Sequence, residues 1–158
     1  MTTIKLQELL QAGIKEVLKD LTIFDKPINV YIQDIPLSKD YDFEVEESDT
    51  EKYFPCVIIK YTGGKISKPA SPQLTHIEII GVAKDWSADM SGYKNVTIVI
   101  DRIRDYLTAG GIHEQATIKY PIERATIDDN IPMPFFEEIL STDWEIDIMP
   151  YNDIEQLL

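Results

Sequence analysis

Two histidines and one cysteine are the residues of this 158-residue sequence that most readily bind metals or act as nucleophiles. His76 lies within a β-rich run and His113 follows a pair of glycines, and neither has a second histidine or cysteine at the spacing of a metal site. Cys56 lies in an apolar run, so we interpret it as a small buried hydrophobic residue rather than a nucleophile. The sequence therefore predicts neither a metal centre nor a bound cofactor.

Two further motifs resemble reactive sites only in part. Residues 62–65 (Thr-Gly-Gly-Lys) look like the end of a phosphate-binding loop, but the upstream glycine is missing, and Ile66 stands where a serine or threonine would bind magnesium. Asp128 and Asp129 form an adjacent acid pair, but neighbouring residues of an extended chain point to opposite faces. We therefore expect that the protein is not an enzyme.

The sequence is strongly acidic, with 28 aspartates and glutamates against 15 lysines and arginines and a formal net charge of −13. This charge disfavours binding to nucleic acids and to anionic membranes. No run of residues approaches the roughly 20 apolar residues of a membrane span, and the N-terminal stretch lacks the apolar core of a signal peptide. We expect a soluble cytoplasmic protein with neither a nucleic-acid nor a membrane partner.

Apolar periodicity predicts two helices. The better one runs from Lys94 to the glycine pair at 110–111, after a strand at 75–83 and a polar loop at 85–93. Its inward positions fall at three- and four-residue steps: Val96, Val99, Ile100, Ile103, Tyr106 and Leu107. A first helix, capped by Thr3, presents one apolar stripe: Leu6, Leu10, Ile14, Val17 and Leu21.

Further strands are predicted at 28–33, 54–61, 116–122 and 136–148. The run at 54–61 is apolar almost throughout, so we expect it to be covered on both faces. The run at 136–148 alternates apolar with acidic residues, which is typical of an antiparallel strand with one solvent-exposed face. Residues 128–130 could form the turn that pairs the last two strands. Together the elements predict an α+β fold, a mostly antiparallel or mixed sheet of about five strands with two main helices packed on it.

One domain, residues 1–150, accounts for these elements, and residues 151–158 form a tail. Residues 38–51 contain seven acidic side chains and predict a solvated, mobile loop. Residues 63–73 contain two glycines, two prolines and two lysines and predict a long exposed loop between two paired strands. Loops of this length in a compact domain are often functional.

Three features follow one another along the sequence between residues 53 and 149. Pro55 precedes the apolar run at 56–59, and a Gly-Tyr pair at 92–93 opens the helix that ends at Leu107. A proline-aromatic stretch at 131–136 then leads into a final strand that carries Trp144. This succession resembles the tail-terminator family of tailed bacteriophages and prophages, also described as tail-completion or minor tail proteins.

The resemblance implies a structural virion protein with no cofactor and no catalysis. Such a protein caps the tail tube as an oligomeric ring, expected to be a hexamer, and joins the tail to the head connector. Its partners would be further copies of itself, the tail-tube protein and the head-connector protein. It would lie in the cytoplasm of the bacterial host during assembly and then in the virion tail.

Five residues are candidates for contacts in such an assembly: Lys65, Lys68, Phe135, Phe136 and Tyr151. For Phe135 and Phe136 a place in the core is the favoured interpretation, and a contact in the assembly is the alternative. Two other functions remain open at this point. One is a head–tail connector or neck protein, and the other, from a different class, is a small acidic adaptor that recruits a basic partner.

Overall fold

The computed structural model of this chain describes residues 1–36, 51–85, 89–110, 116–126 and 135–148. Several sequence predictions lie outside the described residues: nearly all of the acidic loop at 38–51, the turn at 128–130, His113, and the tail at 151–158 with Tyr151. The described part has the predicted α+β fold, with two helices on a five-stranded mixed sheet and a separate two-stranded hairpin.

The elements follow the order helix, hairpin, three strands, helix, two strands. In chain order they are α1 (Thr3–Leu18), β1 (Thr22–Ile23), β2 (Lys26–Pro27), β3 (Asn29–Ile32), β4 (Cys56–Lys65), β5 (Gln73–Lys84), α2 (Ser91–Thr108), β6 (Ala116–Thr126) and β7 (Phe135–Ile146). A short 3-10 turn, Glu51–Tyr53, precedes β4. The β1–β2 hairpin is an element that the sequence patterns above do not predict.

The main sheet has the strand order β3-β4-β5-β7-β6, in which β3 is parallel to β4 and all other neighbours are antiparallel. The predicted pairing of the last two strands is confirmed, and β7 also pairs along its whole length with β5. Ile59, Ile79 and Leu140 lie opposite one another on three adjacent strands, and all three are fully buried. We call the face that they share the inner face and its reverse the outer face.

Both helices pack on the inner face and close the main core against it. Its largest fully buried side chain is Trp144. The Trp144 indole N–H donates to Thr142 Oγ1 at 2.8 Å, and the Thr142 hydroxyl donates to the Ile77 carbonyl at 2.8 Å. Because these polar atoms are hydrogen-bonded, Trp144 is buried without the cost of an unpaired donor.

The N-cap of α1 is Thr2, one residue before the predicted cap Thr3. The Thr2 side chain accepts a hydrogen bond from the Lys5 N–H at 3.1 Å. The buried stripe of this helix ends at Leu18, whereas Val17 is only half-buried. The reason is geometric, because Leu18 follows the preceding buried residue by four positions and so lies on the same face.

Helix α2 begins at Ser91, three residues before the predicted start at Lys94. A close contact at Gly92 explains this start, since the Gly92 N–H donates to the Asp85 carboxylate at 2.7 Å. A Cβ at Gly92 would lie 2.7 Å from atoms of Asp85 and Phe136, so only glycine fits here. The first turn of α2 is thereby held against the ends of β5 and β7.

Strand β6 departs from the predicted alternation in its middle. Its register with β7 shifts between Lys119 and Glu123, where Pro121 has no N–H to donate to the ladder. Tyr120 is 68% exposed, although Ile118, two positions earlier on the strand, packs against the core. After the shift, Arg124 pairs with the buried Leu140 and so lies on the inner face.

The β4–β5 connection is shorter than the predicted loop at 63–73. Residues 63–65 belong to β4 and Gln73 begins β5, so the loop itself is 66–72. Gly63 has a φ of +145° at a register shift that follows Tyr61. Such a backbone conformation strongly favours glycine. Residues 66–72 therefore form a hairpin loop beyond the last pair of the β4–β5 ladder.

Candidate protein interface

The outer face of the sheet carries an apolar band that crosses all five strands. One residue of each strand contributes, and neighbouring members are directly paired: Tyr31, Ile58, Ile80, Ile139 and Ala125. The two described helices pack on the other face. Ile58 is 8% exposed, and Tyr31, Ile80 and Ile139 are half-buried. An apolar band on a sheet face that the described helices do not cover is a candidate surface for contact with another protein.

A groove of about 380 Å³ lies over one part of this band. Its apolar wall consists of Ile35, Phe54, Ile58, Ile80, Val82 and Phe135. The rings of Phe54 and Phe135 meet edge to face with centroids 5.3 Å apart. Because these side chains already pack on one another, the groove is formed without any partner.

Two carboxylates, Asp34 and Glu137, also line the groove. Among the described residues, neither carboxylate has an ion-pair partner. Asp34 accepts a hydrogen bond from the Ile35 N–H at 2.7 Å. Burial raises the pKa of the Glu137 carboxyl, because the charged form loses part of its hydration. The groove thus combines an apolar wall with two carboxylates that no described side chain pairs with, although Lys84 Nζ lies 5.8 Å from the centroid of the Phe135 ring.

Replacing Glu137 with glutamine is expected to stabilise the isolated subunit at neutral pH. Since folding raises the pKa of this carboxyl, the native state holds the proton at pH values where the unfolded state has released it, and stability falls as pH rises through that range. The melting temperatures of Glu137→Gln and of the wild type should differ at pH 7 and converge towards about pH 4. A variant less stable than the wild type at pH 7 would contradict burial as the cause.

The hairpin loop presents the predicted lysines. Lys65 and Lys68 are exposed, and Ile66 between them is 52% exposed. The Ser71 hydroxyl donates to the Lys68 carbonyl at 2.7 Å and accepts from the Lys68 N–H at 3.1 Å, which orders the loop. Both lysines lie at one end of the sheet, whereas Phe135 lies at the other end, opposite Lys84.

Phe135 and Phe136 lie on opposite faces of β7, because successive residues of a strand alternate. Phe135 lines the groove on the outer face. Phe136 lies on the inner face against the start of α2 at Gly92. Both side chains are half-buried. The structure therefore places Phe135 on the candidate interface and Phe136 at the edge of the core, while Tyr151 lies outside the described residues.

The rest of the outer face is polar, and several of its charges are paired. His76 Nδ1 lies 2.6 Å from Asp143 Oδ1, and Lys119 Nζ lies 3.0 Å from Glu145 Oε2. His76 is on the face opposite Ile77, as predicted. In the part of the chain that the structure describes, no group of three or more His, Cys, Asp or Glu side chains is arranged to hold a metal ion. We interpret these pairs as a solvated surface.

Cys56 lies beneath the groove and is 1% exposed, which confirms the interpretation from the sequence. Burial raises the pKa of the Cys56 thiol to about 12, so very little thiolate forms at neutral pH. We expect a thiol reagent at about pH 8, near the ordinary thiol pKa, to leave the folded protein unlabelled and to modify its single cysteine after denaturation. Equal labelling rates in the folded and denatured protein would contradict the burial of Cys56.

A charge cluster joins α2 to the edge of the sheet on the inner side. Arg124 donates to Glu138 Oε1 at 2.7 Å and also pairs with Asp101, which lies 3.1 Å from Arg104. Burial alone would lower the pKa of Arg124, but its hydrogen bonds to Asp101 and Glu138 outweigh burial and raise it. Glu138 is 6% exposed, and its Oε2 has no hydrogen-bond partner among the described residues. The cluster holds two elements together that are distant in sequence.

No described helix is long and apolar enough to cross a membrane. A scan of the chain against protein-family models finds no match, and a search of curated proteins finds no similar sequence either. Function is therefore inferred from the residues themselves: the apolar band, the acidic groove within it, and the basic hairpin loop at the other end of the sheet.

Proposed function

We propose that this protein is a structural virion protein of a tailed bacteriophage or prophage, a tail terminator. It caps the tail tube as an oligomeric ring, which we expect to be a hexamer, and joins the tail to the head connector. The observation that carries the proposal is the apolar band on the outer face, which five strands build and the described helices leave uncovered. A protein whose role is assembly needs such a surface.

Two further observations support an assembly role. The resemblance of residues 53–149 to the tail-terminator family rests on the Gly-Tyr pair at 92–93, and Gly92 is the residue whose close contact sets the start of α2. The net charge of −13 would keep the protein from adhering to DNA that passes through a ring, because like charges remove the gain from counterion release. The partners proposed are copies of the chain, the tail-tube protein and the head-connector protein.

The proposal places the protein in the host cytoplasm during assembly and in the virion tail afterwards. Its test is co-expression with the tail-tube protein encoded in the same genome, followed by electron microscopy of the tubes. We expect tubes that stop growing and carry a ring at one end, and a ring mass about six times the 18.1 kDa of the chain. Tubes of unlimited length, with no bound copies of this protein, would refute a tail terminator.

A second candidate function has one observation in its favour. The groove combines an apolar wall with the carboxylates of Asp34 and Glu137, which suits a basic, apolar peptide of another protein. A small acidic adaptor would use it in that way. Affinity capture from the producing cell separates the functions: recovery of tail-tube protein supports the terminator, recovery of head-connector protein supports a neck protein, and recovery of an unrelated basic protein supports the adaptor.

A further inference from the structure

The residues that line the groove on the outer face indicate which side chains it can bind. Its wall is apolar, and its two carboxylates, Asp34 and Glu137, have no ion-pair partner among the described residues. An occupant that only filled the apolar space would bury these carboxylates further and leave them unpaired, which is unfavourable. The groove therefore fits a group that combines an apolar side chain with positive charge.

The hairpin loop of the same chain has that combination. Ile66 is among the large hydrophobic side chains left exposed, and it lies between the exposed Lys65 and Lys68. The stretch 61–77 contains no aspartate or glutamate, although the chain as a whole has a net charge of −13. The loop is ordered by the Lys68–Ser71 hydrogen bonds, so little conformational freedom would be lost on docking.

A subunit cannot place its own hairpin loop in its own groove. Ile58 in the groove and Lys65 at the base of the loop are seven residues apart on the single strand β4. At about 3.3 Å per residue this separation is roughly 23 Å, and the rigid strand holds the two sites apart. A hairpin loop that enters this groove must therefore belong to another copy of the chain.

We propose that the hairpin loop of one copy, with Ile66 between Lys65 and Lys68, inserts into the outer-face groove of the next copy. Ile66 packs against Ile58, Ile80 and Phe135, and the lysines pair with Asp34 and Glu137. The contact joins two different surfaces, so it repeats from copy to copy and closes a ring if the rotation permits. This inference rests on the proposed function and names the contact that would build its ring.

The first test compares two exposed isoleucines. Ile66→Asp places a negative charge on the loop, and Ile98→Asp places the same charge on α2, where Ile98 is 48% exposed. Sedimentation of each variant over a range of concentrations gives the association constant. We expect Ile66→Asp to weaken self-association by roughly 30-fold or more, as for the loss of a central contact residue, and Ile98→Asp to leave it unchanged.

The second test exploits the two-sided nature of the contact. Ile66→Asp keeps an intact groove, and Glu137→Lys keeps an intact loop while placing a lysine in the groove that repels Lys65 and Lys68. Each variant alone should be monomeric, and an equimolar mixture should give a dimer and nothing larger. Asp34→Lys, at an exposed position, replaces Glu137→Lys if that variant does not fold. A mixture that stays monomeric, or that forms larger species, overturns the proposal.

The third test identifies the occupant directly. A photo-crosslinking benzoylphenylalanine at position 135 replaces the ring that lines the groove, and mixing isotope-labelled with unlabelled chains separates crosslinks between copies from those within one. We expect crosslinks between copies at residues 65–69. Crosslinks within one chain to residues 37–50 would identify that segment as the occupant and overturn the proposal, as would crosslinks to any other part of a second copy.

Failure of this inference can be told apart from failure of the proposed function. If Ile66→Asp associates as the wild type does, or if the wild type shows no self-association at any concentration, the loop-in-groove contact is wrong. The tail-terminator function is decided separately, by whether the wild type stops the growth of tail tubes and binds one end. Glu137→Gln provides a further test of the contact, because it should raise the stability of the isolated subunit and weaken the association between copies at the same time.

Discussion

Ile103→Asp is expected to unfold the domain. Ile103 is fully buried in the core between α2 and the inner face of the sheet. An aspartate there would be buried without a cationic partner, which costs several kcal/mol, while a domain of this size has a stability of about 5–15 kcal/mol. Circular dichroism at 25 °C should show loss of the native spectrum, or a urea midpoint close to zero.

The matched control is Ile98→Asp on the same helix. Ile98 is 48% exposed, so the same substitution should change the free energy of unfolding by no more than about 0.5 kcal/mol. The pair separates burial from any loss of helix propensity, because both variants make the same chemical change in α2. An Ile103→Asp variant that melts like the wild type would mean that α2 does not pack through this face.

The helical state of residues 95–100 shows how much of the secondary structure the sequence alone predicts. This run, Asn-Val-Thr-Ile-Val-Ile, is rich in β-branched residues that favour strands. The helix is predicted only because the apolar spacing continues to Ile103 and Leu107, and the structure confirms it over Ser91–Thr108. Burial of one face therefore outweighs local propensity.

The last strand was predictable for the opposite reason, since its local and tertiary preferences agree. Apolar and acidic residues alternate along β7, and every second residue from Glu138 to Ile146 is buried. The same holds for Thr75, Ile77 and Ile79 on β5. Where a strand has one covered face, period-two alternation determines which side chains enter the core.

The β1–β2 hairpin was not predicted because its turn contains neither glycine nor asparagine. Phe24 and Asp25 form the turn with φ values of 51° and 61°, a conformation in which glycine or asparagine is expected. The groove escaped prediction for a different reason. Ile58, Ile80 and Phe135 come from three strands, and only the pairing register brings them together. A single sequence contains no direct signal for that register.

Arg124 belongs to the same class of unpredicted features, and its removal should have the second largest effect. Arg124 is 23 residues from Asp101 and 14 from Glu138, so no local pattern marks the cluster. Arg124→Leu would remove the contacts that Arg124 makes with Glu138 Oε1. The Glu138 carboxylate, which is 6% exposed, would then be buried without Arg124 as its partner. Removing one partner of a buried pair typically lowers stability by about 3–5 kcal/mol.

A double-mutant cycle then measures how strongly Arg124 and Glu138 are coupled. Arg124→Leu with Glu138→Leu removes both charges, and replacing a whole buried pair by apolar residues is often close to neutral. We expect the double variant to recover most of the stability that Arg124→Leu loses, with a coupling of about 2 kcal/mol or more, since the two side chains touch. If the losses of the single variants simply add, Asp101 rather than Glu138 is the partner through which Arg124 holds α2 to the sheet, and Asp101→Asn should reproduce the loss.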